Sequence, residues 1–457
     1  MTGLGFSQIA KALSGRLIGP DGEMQSVSTD TRQIVAGDLF IALQGENFDA
    51  HQFIDQAVDS GAAAVMVNKT VTTKLPQIVV SDTKIGLGKL AQLWRQQFQL
   101  PVIGVTGSNG KTTVKEMLGV ILGRLGDTLL TEGNLNNEIG VPLTLLRLRE
   151  WHRYAVVEMG ANHPGEIRYL TNLVQPQVAL INNAAPAHLE GFGSIEGVAR
   201  AKAEIYESLK PQDHAIINAD DAYAGFWREK TKHCRRVEFG LQAHTDVQGA
   251  WNRQANTLHV KTLTSEATVQ LPLPGEHNAR NALAAIATTM AVGASLDEIC
   301  QGLEAMQPVA GRLVPYAGVN GVHILDDTYN ANPASIEAGL NVLCGMPGEA
   351  WLILGDMAEL GPGTEQLHAQ VGVLAKKLGV ARLFAIGKAS VAAVDEFGDG
   401  ATFYNEMPSL IEAVVTASIA GVNILVKGSR TMHMEQVVAE LVNKSETGDG
   451  LRLVRSH

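Results

Sequence analysis

Seven consecutive residues, Gly107-Ser-Asn-Gly-Lys-Thr-Thr113, carry the types and spacing needed to hold phosphate. Gly107 and Gly110 permit a tight turn through Ser108 and Asn109, with backbone N–H groups pointing inward. Lys111 adds a full positive charge. The Thr112 hydroxyl, with Thr113 beside it, stands where it can touch a Mg²⁺ ion carried by a nucleotide. A strict phosphate-loop pattern places glycine at position 105, where this chain has Val105, so the loop is a shortened variant. A plain glycine turn with a surface lysine leaves the run Lys-Thr-Thr unexplained.

Other reactive residues follow apolar runs that read as strands. Glu158 comes after 155–157, and a carboxylate at a strand's carboxyl end can hold Mg²⁺, which prefers oxygen ligands. His188 comes after 178–181, although a lone histidine is more often structural or solvated. Lys202 sits between two alanines on a helix expected over 195–209, where spacing alone lets it snorkel to solvent. Asn134 and Asn137 belong to an asparagine-rich stretch that suits a polar ligand rim, and suits turn chemistry equally. Asn278 and Asn281, three apart, share a helical face and can meet one ligand. Nearer the N-terminus, Ser28, Thr29, Arg32, Asn47, Asp49 and His51 could line a site for a phosphorylated ligand. An ordinary polar loop with a solvated arginine explains them as well, because no phosphate motif is present.

These residues need elements to position them. The run 102–105 reads as a buried strand and 112–122 as a helix with Val114, Met117, Leu118 and Ile121 on one face. The pattern predicts an α/β protein of three domains. Residues 1–84 form a small α/β domain, starting with a helix over 8–13 capped by Ser7. Residues 85–310 form a central, mostly parallel sheet with an antiparallel flank over 237–273. Residues 311–457 alternate strand and helix, with strands at 322–325, 351–354, 383–386 and 422–426. There Asn332 caps a helix that opens on Pro333, while Asp327, Tyr329 and Asn330 stay free for a ligand. The polar loops 355–361 and 427–430 also lie at strand ends.

The chain has 457 residues, 45% of them hydrophobic and 18% charged, so large cores are easily built. A net charge of −11 argues against nucleic acid as the main partner. The three cysteines lack metal-like spacing and suit a reducing cytoplasm. The first residues lack the pattern of a signal peptide. The apolar stretch 282–296 is broken by Thr288, Thr289, Gly293 and Ser295, so it reads as a buried helix and not a membrane span.

Taken together, the segments 107–113, Glu158, 183–188, Lys202, His277-Asn-Ala-Arg-Asn281, Gly311-Arg312 and 326–333 resemble the Mur ligase family, in that family's order and over nearly the whole chain. These are ATP-dependent amide-forming ligases of peptidoglycan synthesis. The segments 133–137, 187–193, 355–361 and 427–430 look like the branch that adds a dipeptide. Two departures from the wider family agree with this: Ala187 precedes His188 where many members have aspartate, and the tetrapeptide Asp-Asn-Pro-Arg is missing.

The resemblance implies a uridine-nucleotide domain, a central ATPase and a Rossmann-like third domain. It implies ATP, UDP-N-acetylmuramoyl-tripeptide and D-alanyl-D-alanine as substrates, joined through an acyl phosphate. It further implies two Mg²⁺ ions, one at Thr112 and Glu158 and one at Glu158, His188 and Lys202. An ammonium cannot ligate a cation, so Lys202 is expected to be carbamylated. Lys111 would neutralise phosphate charge. Arg312 would contact phosphate, and Asn278, Asn281, Asp327 and Asn330 the base and ribose. The six N-terminal candidates, with Asn134 and Asn137, would serve the UDP-linked substrate. A cytoplasmic monomer without membrane insertion is expected, its third domain closing on the second. A folate-type glutamate ligase fits the N-terminal segments less well. A guanine-nucleotide switch would want Asn-Lys-x-Asp downstream of the phosphate turn, and here Asn68-Lys69 lies upstream without the aspartate.

Overall fold

The computed structural model describes residues 3–45 and 48–442, so the candidate Asn47 lies outside the described residues. Three sheets succeed one another along the chain. The first has five strands in the order Arg16–Ile18, Gln77–Val79, Ala64–Val67, Asp38–Ile41 and Ser26–Ser28, parallel except where Arg16–Ile18 joins. The helix before it spans Phe6–Ala12, not 8–13, and Gly5 occupies its cap position. Ser7 lies inside the helix, where its hydroxyl donates to Asp21 at 2.5 Å instead of capping. Burial of Phe6 and Ile9 starts the helix earlier than the cap signal suggests.

The expected boundary at 84 falls in the first turn of helix Thr83–Arg95, which Asp82 caps. Leu87, Leu90, Ala91 and Trp94 are buried and belong to one apolar cluster with strands of both the first and second sheets. The buried Arg95 ties the helix to the central domain by donating to the Val174 carbonyl at 3.0 Å. The first two domains are therefore fused through this helix.

The second sheet has nine strands, and Val102–Thr106 sits inside it between Val178–Ile181 and Tyr154–Glu158. All three strands are almost wholly buried, which explains their unbroken apolar runs. Chain order reverses at Val102–Thr106, the kind of switch point outside which open α/β sheets bind ligands. The flank differs from expectation. Arg235–Gly240 pairs parallel with both His214–Asn218 and Val247–Asn252, and only the hairpin Val247–Asn252, Thr257–Thr262, Glu266–Gln270 is antiparallel. Helix Ala224–Lys230 provides the crossover that a parallel partner requires. The buried helix is Glu276–Ala291. The chain breaks at Gly293, and Ser295 caps the next helix, Leu296–Glu304, with a reciprocal Glu298 contact. Among the described residues no helix is long and apolar enough to cross a membrane.

The third sheet runs Val314–Ala317, His323–Asp327, Val422–Lys427, Glu349–Gly355, Arg382–Ile386, Ala401–Tyr404, parallel beyond the first pairing. Asn332 caps helix Pro333–Leu343 as its sequence predicts.

Candidate active site

One glycine shapes the phosphate turn. Gly110 has φ +77°, and a Cβ there would fall 2.4 Å from the Asn281 side-chain oxygen and 2.5 Å from the Asn182 amide. Only glycine lets the backbone pass between these two side chains. Helix Lys111–Gly123 starts directly after it, so its free N–H groups face the turn. The segment after Val178–Ile181 braces the turn from the side: Asn109 N–H donates to the Asn183 side chain at 2.9 Å, Asn182 donates back to the Asn109 carbonyl at 2.9 Å, and Ser108 donates to the Ala185 carbonyl at 3.0 Å. Lys111 folds back to donate to the Gly107 carbonyl at 2.8 Å. Burial pushes its pKa down, and Arg312 adds to that while Glu158 opposes it.

Glu158 is the meeting point of three segments. One carboxylate oxygen accepts from Thr112 at 3.1 Å and the other from Asn136 at 2.8 Å, while its N–H donates to the Thr131 hydroxyl at 2.9 Å. Asn136, not Asn134 or Asn137, is the member of the asparagine stretch that reaches this carboxylate. Asn137 uses its oxygen on the N–H groups of Ile139 and Gly140, and Asn134 is exposed.

Lys202 is buried on helix Ile195–Ala203. Among the described residues no hydrogen bond or ion pair reaches its Nζ. Burial, with the charge of Lys111 behind it, drives its pKa well below the usual lysine range. His188 has a left-handed backbone, φ +52°. Its Nδ1 lies 2.6 Å from a carboxylate oxygen of Glu359, yet the alignment leaves that buried nitrogen without a hydrogen bond. The contact still holds the Glu359 carboxyl below its usual pKa range.

These observations test the donor set for a metal. Among the described residues no three His, Cys, Asp or Glu side chains form a metal-binding group. An unsatisfied His188 nitrogen, a buried carboxylate and an unpartnered buried amine fit Mg²⁺ once the amine carries an anionic group.

The third domain closes the site. Arg312 donates to the Thr112 hydroxyl at 3.4 Å, its guanidinium lies 4.0 Å from the Tyr329 ring centre, and its Nε is buried without a partner. Asn332 donates to the Asn109 side chain at 2.7 Å while still capping its own helix. Between the domains lies a cavity of about 810 Å³, walled by Asn109, Asn278, Asn281, Arg312, Asp327 and Lys427 among others. That volume suits a nucleotide. Asn281 joins Asn278 at 3.2 Å and Asn182 at 2.8 Å, so the two helix asparagines do share a face. Asp327 is fixed by the buried Lys427 at 2.5 Å. Asn330 stands apart from the cavity wall: its side-chain oxygen accepts from the Ala331 N–H, and its carbonyl from Lys427.

In the first domain, Ser28, Thr29 and Arg32 gather at the end of Ser26–Ser28, and Asp49 and His51 follow the neighbouring strand Asp38–Ile41. Arg32 is exposed and pairs with Asp30, whose carboxyl it brings down to about 2. Asp49 holds the His51 ring at 2.5 Å.

A three-domain α/β protein with a phosphate cradle facing an arginine across a nucleotide-sized cleft is built for nucleotide-dependent group transfer. Residues 23–94 match the Mur ligase family catalytic domain, 105–289 the Mur ligase middle domain and 311–430 the Mur ligase glutamate ligase domain. The chain belongs to the Mur ligase family. It is 45% identical over 446 residues to UDP-N-acetylmuramoyl-tripeptide–D-alanyl-D-alanine ligase of Escherichia coli strain K12, covering 96% of this chain and 99% of that one. A crystal structure of MurF from Acinetobacter baumannii superposes with a TM-score of 0.89 at 40% identity, covering 95% and 98%. MurF ligase from Thermotoga maritima in complex with ADP gives 0.83 at 27% identity, covering 91% and 97%.

Proposed function

We infer that this protein is an ATP-dependent ligase that joins D-alanyl-D-alanine to UDP-N-acetylmuramoyl-tripeptide, giving the pentapeptide precursor of peptidoglycan with ADP and phosphate. The observation that carries the reading is the convergence of Lys111, Thr112, Glu158 and Arg312 from two domains on one cradle, in a chain of which 96% aligns with the Escherichia coli relative.

A carboxylate is a poor electrophile because its charge repels nucleophiles. Its oxygen attacks the terminal phosphorus of ATP, the bond to ADP breaks, and an acyl phosphate forms. The dipeptide amine then attacks the acyl carbon, phosphate leaves with the bonding pair, and a proton is released as the amide forms. The first step brings two anions together and the second builds negative charge on the acyl oxygen and the departing phosphate, so preorganised positive charge lowers both barriers. Lys111 and Arg312 supply it from opposite walls. Thr112 and Glu158 would hold one magnesium ion, and Glu158, His188 and Lys202 a second; such ions neutralise charge on the phosphate oxygens.

Lys202 enters this set as a carbamate. Its amine, whose pKa burial lowers, adds to carbon dioxide in its neutral form, forming an N–C bond and releasing one proton. A carbamate resonance is expected in ¹³C NMR after exposure to labelled bicarbonate. Lys202→Ala should remove that resonance and cut ligation at least a hundredfold, with the circular dichroism spectrum retained; wild-type turnover in the variant excludes the role.

Ser28, Thr29, Arg32, Asp49 and His51 form the mouth for the UDP-linked substrate, a cytoplasmic metabolite, and the enzyme acts as a monomer. Through this product it serves cell-wall growth, cell shape and division. The deciding assay offers UDP-tripeptides ending in lysine or diaminopimelate with D-alanyl-D-alanine and ATP. The product is weighed by mass spectrometry, and phosphate release must require both peptides. No new amide with every ingredient present refutes the assignment.

A further inference from the structure

The anionic reactants meet Lys111 and Arg312, but the dipeptide arrives with an ammonium. Those cations repel it, so the amine needs a carboxylate of its own to sit opposite the acyl carbon. The end of strand His323–Asp327 and the loop following Glu349–Gly355 carry four acidic side chains. Three of them are committed within the domain. Asp326 accepts from the N–H groups of Gly311 and Thr328 and from the Thr328 hydroxyl. Asp327 is neutralised by Lys427, and Asp356 accepts from Ala389 and Ser390. Only Glu359 turns outward to the other domain, where it meets His188.

The loop that presents Glu359 is held in an unusual shape. Glu359 has φ +61°, a left-handed conformation that few residues with a Cβ adopt, and such strain persists only where the surroundings enforce it. Here the enforcing group is His368, which is fully buried. It accepts from the Met357 N–H at 2.9 Å and donates to the Thr364 carbonyl at 2.7 Å, clamping both ends of the loop. Met357 and Leu360 are buried on either side, so the Glu359 carboxylate projects between two anchors with about half its surface (53%) exposed. Neither Glu359 nor His188 lines the nucleotide cavity, so this carboxylate stands outside the space a nucleotide would fill.

We propose that Glu359 is the amine-binding residue of the second substrate, its carboxylate accepting hydrogen bonds from the incoming dipeptide's ammonium in place of the His188 contact. The proposal rests on the ligase reading above. A charge-assisted hydrogen bond to a desolvated ammonium is worth about tenfold or more in affinity.

The test compares wild type with Glu359→Gln, which keeps size and loses charge, and Glu359→Asp, which keeps charge. KM for D-alanyl-D-alanine should rise about tenfold in Glu359→Gln and recover in part in Glu359→Asp, while KM for ATP and for UDP-tripeptide moves less than twofold. Hydroxylamine, uncharged at neutral pH, replaces the dipeptide in a second arm and traps the acyl phosphate as a hydroxamate. The ratio of dipeptide coupling to hydroxamate formation should fall at least tenfold in Glu359→Gln. An unchanged ratio overturns the proposal, since it means the side chain acts only through His188 or the loop. Wild-type protein that makes hydroxamate but no coupled product overturns the dipeptide reading instead, and wild type that makes neither overturns the ligase reading.

Discussion

Arg312 crosses the domain boundary with its charge incompletely matched, since its Nε is buried without a partner while its plane lies on Tyr329. A planar guanidinium can stack on the ring and still direct a fork of donors at phosphate, which a lysine ammonium cannot do. Arg312→Lys should therefore keep the fold and lose about a hundredfold in kcat, roughly 2.7 kcal/mol of transition-state stabilisation. Steady-state phosphate release checks this, and a loss under threefold removes Arg312 from the chemistry. His277, on the cavity wall, titrates in a way that reports on folding. Burial, then the neighbouring Lys427 and Arg280, bring its pKa down from 6.5 to about 4. Below pH 6.5 the unfolded chain takes up a proton that the folded chain refuses, so stability falls as pH drops toward 4 and levels off beneath it. At pH 5 this loss reaches at most about 2 kcal/mol, reduced to the extent that cavity water screens the ring. Urea unfolding at pH 7 and pH 5 should show wild type losing more than His277→Gln; equal losses refute the assignment.

At the scale of elements, helix Pro333–Leu343 both builds the third domain and touches the phosphate turn. Asn332 uses its oxygen to cap the Ser335 N–H and its amide nitrogen to hold Asn109. Asn332→Asp separates these tasks, because aspartate caps equally well but has no donor to offer. Stability should stay within about 0.5 kcal/mol of wild type, while KM for ATP rises severalfold. A melting temperature that falls with unchanged KM would show that only the cap matters. The cap itself was legible from Asn332-Pro333, as were the strand, turn and helix around Lys111, because each signal lies within a few adjacent residues. Three-residue strands such as Arg16–Ile18 and Ser26–Ser28 were not, since so few residues display no period. Nor does spacing tell which of three neighbouring asparagines faces Glu158; the turn through Gly133 and Leu135 selects Asn136. The roles of Asn182 and Lys427 as braces for Asn281 and Asp327 depend on contacts far away in sequence.

The least legible feature is the docking of the third domain, because the contacts between Asn332 and Asn109, Arg312 and Thr112, and Glu359 and His188 exist only when two separately folded sheets approach. The junction before Val314–Ala317 is made to bend: Gly311 and Leu313 both have left-handed backbone, at φ +71° and +58°. These polar contacts, with Arg253 donating to the Asn341 carbonyl at 3.0 Å, are each worth about 1 kcal/mol or less. Their sum is too small to hold two domains together against the freedom gained on opening. A nucleotide touching the cradle on one side and Arg312, Asp327 and Lys427 on the other adds contacts only to the closed form, and so shifts the population toward it. Small-angle scattering of the protein alone should therefore give a larger radius of gyration than with a non-hydrolysable ATP analogue and UDP-tripeptide together. With Arg312→Lys the compaction should need more nucleotide, because one of the bridging contacts is weaker. An unchanged radius on adding both ligands would mean the closed arrangement already dominates without them, and that ligand binding energy is not used to bring the domains together.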